Sequence, residues 1–252
     1  MIPYFKFTTI PLGPMQIQVW GLLVSLGILA GAWVATKMSE HRKQDPAVVW
    51  DVTFWIIIAS FIGARIVHLL YEPAYYLSNP IAILQVWHGG FSIMGGFVGA
   101  VIAAVVFLRK RKLDLLAYCD TLVFGLPVGL FIGRIGCFLI HDHPGTLTHF
   151  VLGVNYPGGV RHDHGLYLSL EGLVLFLLFL FLAHKRVKIG TYLVVFLILD
   201  GTIRFFLDFL RATDGPIVDV RYAGLTPAQY FAIIMVIAGI VLYKKSKNAR
   251  IN

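Results

Sequence analysis

The sequence predicts an all-α, polytopic membrane protein with about seven transmembrane helices. Three observations lead to this prediction. First, 58% of the 252 residues are hydrophobic and only 13% are charged, with a mean hydropathy of +0.79, which is typical of a chain that lies mostly in lipid. Second, seven apolar stretches are each long enough to cross a bilayer. Third, basic residues gather after alternate stretches.

Each predicted helix is an apolar stretch close to the length of about 20 residues that crosses about 30 Å of hydrocarbon. In chain order the stretches lie near 17–36, 52–70, 90–108, 116–140, 165–183, 189–210 and 226–243. We expect one transmembrane domain over residues 1–252, with an outer loop at 141–164. The N-terminus lacks a basic region followed by a short apolar core and a cleavage site, so we expect the first helix to be retained.

The basic residues predict the orientation of the chain. Fourteen of the 21 follow the first, third, fifth and seventh stretches: Lys37, Arg42, Lys43, Arg109, Lys110, Arg111, Lys112, Lys185, Arg186, Lys188, Lys244, Lys245, Lys247 and Arg250. Four lie on the opposite side: Lys6, Arg161, Arg211 and Arg221. Because cytoplasmic loops carry the excess of Lys and Arg, the N-terminus is predicted to lie outside and the C-terminus in the cytoplasm.

The formal charge of +8 does not indicate nucleic-acid binding. The basic residues lie in short runs between apolar spans, where they act as topology signals. The two cysteines, Cys119 and Cys137, both fall in the fourth stretch. With no second pair to form a framework, we expect no disulfide.

The stretch from Gly125 to Gly145 is the most informative about a site. Gly125, Gly129 and Gly133 recur every four residues, which on a helix lines them up on one face, where a neighbouring helix or a lipid chain can lie close. Arg134 follows, inside apolar surroundings. An arginine inside a membrane span is costly and usually faces a bundle interior or a polar cavity. Arg134 is therefore a candidate functional residue.

The three arginines inside predicted spans differ in their local partners. Arg204 has Asp200 and Asp208 four residues away on either side, which favours a structural ion pair on its own helix. Arg65 is close to the interface, where its long side chain can snorkel toward water. Arg134 has no acidic residue three or four positions away, so its counter-ion must come from another helix or from a ligand. A guanidinium suits phosphate because it offers a planar fork of donors.

Under the predicted orientation, polar residues of the spans converge on the outer half of the membrane. They are Gln18, Trp20, Arg65, His88, Met94, Arg134, Tyr167, Glu171 and Arg204. We interpret Trp20, Tyr71, Tyr75 and Tyr76 as aromatics of the interfacial belt. We therefore expect a site in the outer leaflet, within reach of a lipid headgroup.

Five of the nine histidines lie in the predicted outer loop: His141, His143, His149, His162 and His164. Two H-D-H segments, at 141–143 and 162–164, place imidazoles beside carboxylates, and both groups are zinc ligands. However, alternate residues of a loop point in any direction, and neither pair has the i, i+4 spacing of two ligands on one helix. We interpret these histidines as polar loop residues that bond phosphate, carboxylate or backbone, and we expect no metal.

A second glycine-rich segment, H-G-G-F-S-I-M-G-G-F-V-G at 88–99, opens the third span. It allows the backbone to come close to a partner helix or a lipid. For Gly95 and Gly99 we favour helix packing.

Further motifs run along nearly the whole chain. They are W-G-L at 20–22, G-A-R-I-V-H-L-L-Y at 63–71, W-H-G-G-F-S-I-M-G-G at 87–96, G-R-I-G-C-F at 133–138, G-T-I-R-F-F-L-D-F-L-R at 201–211 and L-T-P-A-Q at 225–229. Together they resemble the phosphatidylglycerol–prolipoprotein diacylglyceryl transferases of bacterial inner membranes. The G-R-x-G signature, followed by a loop that ends at Gly145, is the most specific part of this resemblance.

The resemblance implies roles for the residues at matching positions. Arg134 matches the arginine that holds the lipid phosphate, and Arg204 matches a second essential arginine. Asp208 and Asp142 stand where the family has Glu, whereas Met94, Trp20 and Cys137 stand where it has histidine, tyrosine and asparagine. We assign catalytic roles to Arg134, Arg204, Asp208, Asp142 and His141. We assign substrate binding to Arg134, Arg204, Gly133, Gly136, Gly145, Gly95, Gly96 and Trp20.

The implied reaction transfers the diacylglyceryl group of phosphatidylglycerol to the lipobox cysteine of a prolipoprotein signal peptide, forming a thioether and releasing glycerol phosphate. A thiolate is the nucleophile, and arginines in a dry cavity stabilise the charge of the leaving phosphate. With methionine at position 94, the candidate proton acceptors are His88, His141, His143 and His162. No cofactor is implied.

Two other functions fit the same residues. A metal-dependent membrane hydrolase or lipid-modifying enzyme would bind its metal with the histidine loop. A non-catalytic lipid-binding relative would keep the fold and lack the chemistry, which the methionine at position 94 favours. The expected partners are phosphatidylglycerol, prolipoprotein signal peptides with a lipobox cysteine, and the membrane. The expected location is the bacterial cytoplasmic (inner) membrane, as a multi-pass protein.

Overall fold

The computed structural model describes residues 1–85, 89–185, 187–214 and 221–248. It divides the chain into two compact units, one of residues 1–35 and 120–252 and the other of residues 36–119. Both units are mainly helical, which confirms the predicted fold class. Some residues with predicted roles lie outside the described ranges: Trp87, His88, Arg186 and Arg250.

The described residues form eight α-helices. They are α1 (Val19–His41), α2 (Pro46–Tyr71), α3 (Pro73–Ser78), α4 (Ile93–Lys110), α5 (Leu115–Ile140), α6 (His164–His184), α7 (Thr191–Leu207) and α8 (Pro227–Asn248). Six of them, α1, α2, α4, α5, α6 and α8, are long and apolar enough to cross a membrane. These six helices confirm a polytopic protein. Because α7 has only 17 residues, the count of seven spans stays a prediction.

Glycines allow two helices of the larger unit to pack backbone against backbone. A Cβ on Gly27 of α1 would lie 2.6 Å from the carbonyl oxygen of Gly129 in α5. A Cβ on Gly31 would lie 2.9 Å from that of Gly125. Both distances are inside van der Waals contact, so only small residues allow this approach. The glycines spaced by four in α5 therefore face a neighbouring helix, one of the two partners that the sequence predicted.

Similar contacts place α6 and α7 in the same unit. Gly172 of α6 leaves no room for a side chain against Pro127 and Phe131 of α5, and the hydroxyl of Ser169 donates a hydrogen bond of 3.0 Å to the carbonyl of Phe131. In α7, a Cβ on Gly201 would lie 2.9 Å from a carbonyl oxygen of α8. Polar groups on α5, α6 and α7 thus stand on closely packed helices.

The predicted outer loop at 141–164 contains a small β-sheet. Its strands are β4 (Pro144–Leu147), β5 (Val154–Tyr156) and β6 (Gly159–Asp163), and β1 (Ile2–Pro3) pairs with β5 to give the order β1-β5-β6-β4. A separate hairpin joins β2 (Thr9–Leu12) to β3 (Met15–Gln18). Strands of two to five residues are too short for alternation of apolar and polar residues to reveal them, so the sequence analysis missed them.

In the smaller unit, α2 packs on α4 through glycines. A Cβ on Gly63 would meet Gly99 at 3.2 Å, and a Cβ on Gly95 or Gly99 would overlap the carbonyl oxygens of Gly63 and Ala59. Gly95 and Gly99 are thus packing residues, as we favoured. Gly96 is less crowded, since its nearest neighbour, the Ala64 Cβ, is 3.7 Å away.

Arg65 does not snorkel, contrary to the prediction. Its guanidinium donates hydrogen bonds to the carbonyls of Ala82 (2.5 Å), Ile83 (3.1 Å), Gly89 (2.7 Å) and Gly90 (3.0 Å). These carbonyls belong to the segment between α3 and α4, so Arg65 holds that segment to α2.

The ring of Tyr76 lies 5.5 Å from the guanidinium carbon of Arg65 and is buried. The belt interpretation of Tyr76 is therefore wrong, whereas Trp20, Tyr71 and Tyr75 are about half exposed or more.

Candidate active site

The start of α1, the end of α5 and the start of α6 lie side by side in the larger unit. A Cβ on Gly136 would lie 3.3 Å from Trp20, and a Cβ on Gly165 would be 2.8 Å from Cys137. Since Arg134 precedes these contacts by less than one turn, it stands where the three helices meet. Trp20, Arg134, Glu171 and Arg204, four of the residues predicted to converge, all lie in this unit.

Arg134 is partly buried and lies among charges from other elements. Its Nη1 is 3.7 Å from the Cys137 sulfur. The positive charge of Arg204 acts on it unfavourably and the carboxylate of Asp142 favourably. Two guanidinium groups close enough to repel each other in a low-dielectric setting are an arrangement that an anion stabilises.

Arg204 is held by a carboxylate of its own helix, as predicted. Its Nε lies 3.4 Å from Asp200 Oδ2, and the Asp200 side chain is almost fully buried. Glu171, 7% exposed on α6, interacts electrostatically with Asp200 and with both Arg204 and Arg134. These two acids and two arginines form the buried charge cluster of the site.

One oxygen of each acid in this charge cluster lacks a protein partner. Glu171 Oε1 and Asp200 Oδ1 are buried and accept no hydrogen bond from the part of the chain that the structure describes. A buried carboxylate oxygen without a donor is costly. Such an oxygen is positioned to accept a bond or a proton from a ligand.

Asp208 does not pair with Arg204, contrary to the expectation from spacing. The α-helix ends at Leu207, and Asp208 begins the 3-10 turn Asp208–Leu210. Within the described ranges, its carboxylate accepts from Arg211 Nε and from the hydroxyl of Thr226. Asp208 therefore joins the end of α7 to the start of α8.

The L-T-P-A-Q motif takes part in the same junction. The backbone N–H of Thr226 donates to Gln229 Oε1 at 3.0 Å, and Gln229 Nε2 donates to the carbonyl of Phe205 at 3.1 Å. Thr226 and Gln229 are almost fully buried. The motif's polar side chains therefore stabilise the α7–α8 connection.

Gly145 allows a close approach of backbone to backbone. A Cβ on Gly145 would lie 2.5 Å from the carbonyl oxygen of Leu210 and 2.8 Å from the His162 side chain. Its own carbonyl accepts a hydrogen bond of 3.0 Å from Arg161, which also pairs with Asp214. This glycine thus allows the 3-10 turn to lie against the sheet.

His141 lies in a buried hydrogen-bonded group. Its Nδ1 is 2.7 Å from Asp163 Oδ2, and the hydroxyl of Tyr156 donates 2.6 Å to the same oxygen. Tyr4 stacks on the imidazole at 4.9 Å between ring centroids. Burial and the neighbouring Asp163 raise the pKa of Tyr156, so the phenol stays protonated. His141 therefore joins the end of α5 to the sheet and the N-terminus.

The other histidine candidates have different surroundings. His162 Nδ1 lies 2.7 Å from the Tyr167 hydroxyl, and burial lowers the pKa of His162, so it is neutral at pH 7. His143 Nδ1 lies 2.6 Å from Asp142 Oδ1. The fourth candidate, His88, lies outside the described residues.

The two H-D-H segments lie close together, but among the described residues no group of three metal ligands combines residues of both segments. The backbone N–H of His164 donates to the carbonyl of His143 at 3.2 Å. Among the described residues, the group that could hold a metal ion consists of Cys137, Asp142 and His143, whose ligand atoms lie within 4.8 Å of one another.

The predicted substrate-binding glycines differ in their surroundings. Gly136 packs on α1, whereas a Cβ on Gly133 would have its nearest neighbour, Val24, 3.9 Å away. Trp20, exposed over about half its surface, donates a hydrogen bond from its indole N–H to the Cys137 sulfur. Gly95 and Gly96 belong to the other unit.

Sequence reasoning found the arginines but missed the roles of two other buried acids. It named Glu171 as a converging polar residue and gave it no role. It also missed Asp163, although an aspartate just before a long apolar run is a helix N-cap signal. Its Oδ1 accepts from the backbone N–H of Leu166 at 2.9 Å, which caps α6.

Comparisons with known proteins match almost the whole chain. The family model described as prolipoprotein diacylglyceryl transferase matches residues 8–244. A phosphatidylglycerol–prolipoprotein diacylglyceryl transferase of Ehrlichia canis is 33% identical over 246 residues, covering 94% of each chain. A protein of the same name from Nitrosomonas europaea is 34% identical over 249 residues, which is 95% of this chain and 89% of that protein. A third, from Nitratidesulfovibrio vulgaris, is 34% identical over 254 residues, covering 96% and 95%.

Proposed function

Because this chain belongs to the prolipoprotein diacylglyceryl transferase family and is an enzyme that transfers diacylglyceryl to prolipoprotein, we propose that Arg134 and Arg204 bind the phosphate of its phosphatidylglycerol substrate. The single observation that supports this most is that two partly buried guanidinium groups act electrostatically on each other and on the buried Glu171. A phosphate between them would remove the repulsion and accept their forked donors.

The reaction assigns these arginines a task in the transition state. The thiolate sulfur of the lipobox cysteine attacks the carbon of the diacylglyceryl group that is bonded to the phosphate oxygen. A C–S bond forms at this carbon, and its C–O bond to the phosphate breaks. The electron pair of the broken bond leaves with glycerol phosphate. Arginines that are already in place stabilise this growing charge more than water does. Arg134 and Arg204 are the residues we assign to this step.

Two acids near the arginines, Asp200 and Asp142, orient them. Asp200 contacts Arg204 directly, and Glu171 interacts with both guanidinium groups. Asp142, in the segment just after the end of α5, attracts the guanidinium of Arg134. We assign Asp200 and Asp142 to positioning the donors.

Glu171 is our choice of proton acceptor. Its Oε1 is buried and accepts no hydrogen bond within the described chain, and its carboxylate interacts with both arginines. His141 also has a buried ring nitrogen, Nε2, without a partner there, but its Nδ1 bonds Asp163 at the junction with the sheet, and His162 is bonded to Tyr167. A general base must reach the proton it accepts, and a carboxylate beside the phosphate-binding arginines would be next to the attacking thiol. The catalytic roles of Asp208 and His141 remain predictions. In the structure, both side chains form bonds that join neighbouring elements.

The setting of the reaction is also part of the proposal. The chain is a multi-pass membrane protein, and we place it in the bacterial inner membrane with its N-terminus outside. The charge cluster then lies in the outer leaflet, where a signal peptide presents its cysteine after crossing the membrane. We expect no metal or cofactor in this reaction.

Reconstitution of the purified chain tests this function. Vesicles containing phosphatidylglycerol and a lipobox peptide should yield a peptide whose mass has increased by one diacylglyceryl group. A peptide with serine in place of the cysteine, and vesicles of phosphatidylcholine alone, are the matched controls and should show no increase. A folded chain in the membrane that leaves the cysteine-containing lipobox peptide unmodified would contradict the proposal.

A further inference from the structure

The end of α5 brings three metal-ligand side chains together. The helix ends at Ile140, and His141 has φ 51°, a left-handed conformation that reverses the chain. The following residues, Asp142 and His143, fold back toward Cys137 in the last turn of the helix. One ligand atom of each of these three residues lies within 4.8 Å of the other two. We call these three residues the Cys137 group.

Two atoms of the Cys137 group share a space that no protein donor fills. Asp142 Oδ1 and His143 Nδ1 are only 2.6 Å apart. Both atoms are buried, and neither makes a hydrogen bond of acceptable geometry within the described chain. Two lone pairs that point to one place repel each other unless a proton or a cation lies between them. The Cys137 thiol, 5% exposed, faces the same place.

We propose that the Cys137 group binds Zn²⁺ and that the bound ion inhibits the enzyme. A thiolate, an imidazole and a carboxylate form a typical zinc ligand set, and three protein ligands leave a fourth position open. On binding, the Cys137 thiol gives its proton to solvent, and no electron is transferred. This chemistry needs no redox partner.

Inhibition follows from the position of Arg134. Its Nη1 lies 3.7 Å from the Cys137 sulfur, so an ion held by that sulfur stands beside the guanidinium. A divalent cation there repels the guanidinium and occupies space that the proposed function assigns to the lipid phosphate. The inhibitory part of the inference rests on that proposed function, whereas zinc binding itself does not. The active enzyme is the metal-free form.

Zinc binding and zinc inhibition are measured separately on the full chain in detergent. After treatment with a chelator, the chain is titrated with Zn²⁺ in the absence of lipid, and bound metal is counted by mass spectrometry of the metal after gel filtration. We expect one ion per chain. Co²⁺ in place of Zn²⁺ should give the near-ultraviolet absorption of a thiolate ligand, which reports on Cys137 without any substitution.

Variants with matched controls locate the ion. Cys137→Asn keeps the side chain similar in size and should lose the bound ion and raise the half-inhibitory zinc concentration about tenfold or more. His143→Asn should also lose the ion in the binding assay. Cys119→Ser, which removes the other thiol, and His149→Asn, which removes an exposed histidine of the same region, should both keep it.

Each result supports or overturns one part of the inference. The zinc site is overturned if no ion binds. It is also overturned if an ion stays bound in Cys137→Asn and cobalt gives no thiolate absorption. A bound ion that leaves diacylglyceryl transfer unchanged overturns the inhibitory role. A chain that binds zinc at Cys137 and transfers no diacylglyceryl even without metal supports the site and contradicts the proposed function instead.

Discussion

At the scale of single residues, Arg134 differs from the other arginines inside spans because it is attracted by an acid from the segment after its own helix. Arg65 is bonded to four backbone carbonyls and Arg204 to an aspartate of its own helix. Arg134 has a thiol and Asp142 nearby and a second guanidinium close enough to repel it. Because its positive charge is only partly neutralised by protein groups, Arg134 is the arginine best placed to bind a phosphate.

We therefore expect Arg134→Ala to lower diacylglyceryl transfer by about 10²–10³-fold, the usual loss when one preorganised donor to a developing charge is removed. Arg134→Lys should recover only part of the rate, because an ammonium keeps the charge and loses the planar fork. The measurement is the mass assay with lipobox peptide. Arg111→Ala, which removes an exposed partner of Asp51, is the control and should keep the rate. Normal transfer by Arg134→Ala would disprove the phosphate-binding role.

Glu171 carries the second residue-scale prediction. Glu171→Gln keeps the shape of the side chain and removes its ability to accept a proton, so kcat should fall about 10²–10⁴-fold while KM for phosphatidylglycerol changes little. The acidic side of the pH–rate profile should also flatten. Glu40→Gln, an exposed carboxylate paired with Lys37, serves as the control. If Glu171→Gln instead raised KM with an unchanged kcat, the residue would be a positioning group for the arginines and no base.

At the scale of elements, the end of α7 depends on two separate ion pairs. Arg204 neutralises Asp200 within the helix, and Arg211 neutralises Asp208 in the 3-10 turn. This arrangement arises because the α-helix ends at Leu207 and a 3-10 turn follows. The tighter winding of that turn directs Asp208 toward α8.

Arg204→Ala should therefore abolish transfer and also lower the stability of the helical bundle. It leaves Asp200 buried without its partner, and breaking a buried pair costs about 3–5 kcal/mol. Arg134→Ala, which deprives no acid of its own helix, should unfold at a temperature closer to that of the parent chain. Thermal unfolding of the two variants in the same detergent makes the comparison. Equal losses of stability in the two variants would show that the buried Asp200 carboxylate does not need Arg204 as its ion-pair partner.

The contact between α1 and α5 makes a second prediction at this scale. A Cβ on Gly125 would overlap the carbonyl oxygen of Gly31, and backbone cannot move aside as a flexible side chain can. Gly125→Ala should lower the free energy of unfolding by about 1–3 kcal/mol, the typical cost of overpacking. Gly21→Ala in α1 is the matched control, because its nearest neighbour would be 4.0 Å away. Both are measured by thermal unfolding in detergent, and a destabilised Gly21→Ala with an intact Gly125→Ala would contradict the packing argument.

At the scale of the whole molecule, the prediction concerns orientation. Fourteen basic residues follow alternate spans and four lie on the other side, so a reporter fused after residue 252 should be cytoplasmic and one inserted near Gly158 should be outside. Gly158 is a suitable position because it lies in the turn between β5 and β6, and a Cβ on it would meet no neighbour within 4 Å. Reporters active only on one side of the membrane give the answer. The reverse pattern would move the charge cluster to the cytoplasmic leaflet.

The sequence by itself determined the features that depend on neighbours along the chain. Runs of apolar residues predicted the positions of the spans, because crossing the hydrocarbon requires a certain length of helix. The glycines spaced by four predicted the close face of α5, and the Arg204–Asp200 pair followed from helical spacing. The apolar stretch around Arg134, with no acid three or four residues away, singled out this arginine. All of these follow from a period or a short separation that can be read directly.

Only the tertiary structure decided which polar groups far apart in the chain meet. His141 bonds Asp163, 22 residues away, and Asp208 bonds Thr226, 18 residues away, separations that no helical period connects. Arg65 finds backbone carbonyls in place of water, and Glu171 reaches the two arginines from a third helix. The physical reason is that a buried polar group bonds whatever the packing of helices places within about 3 Å. That choice is made by the fold of the whole unit.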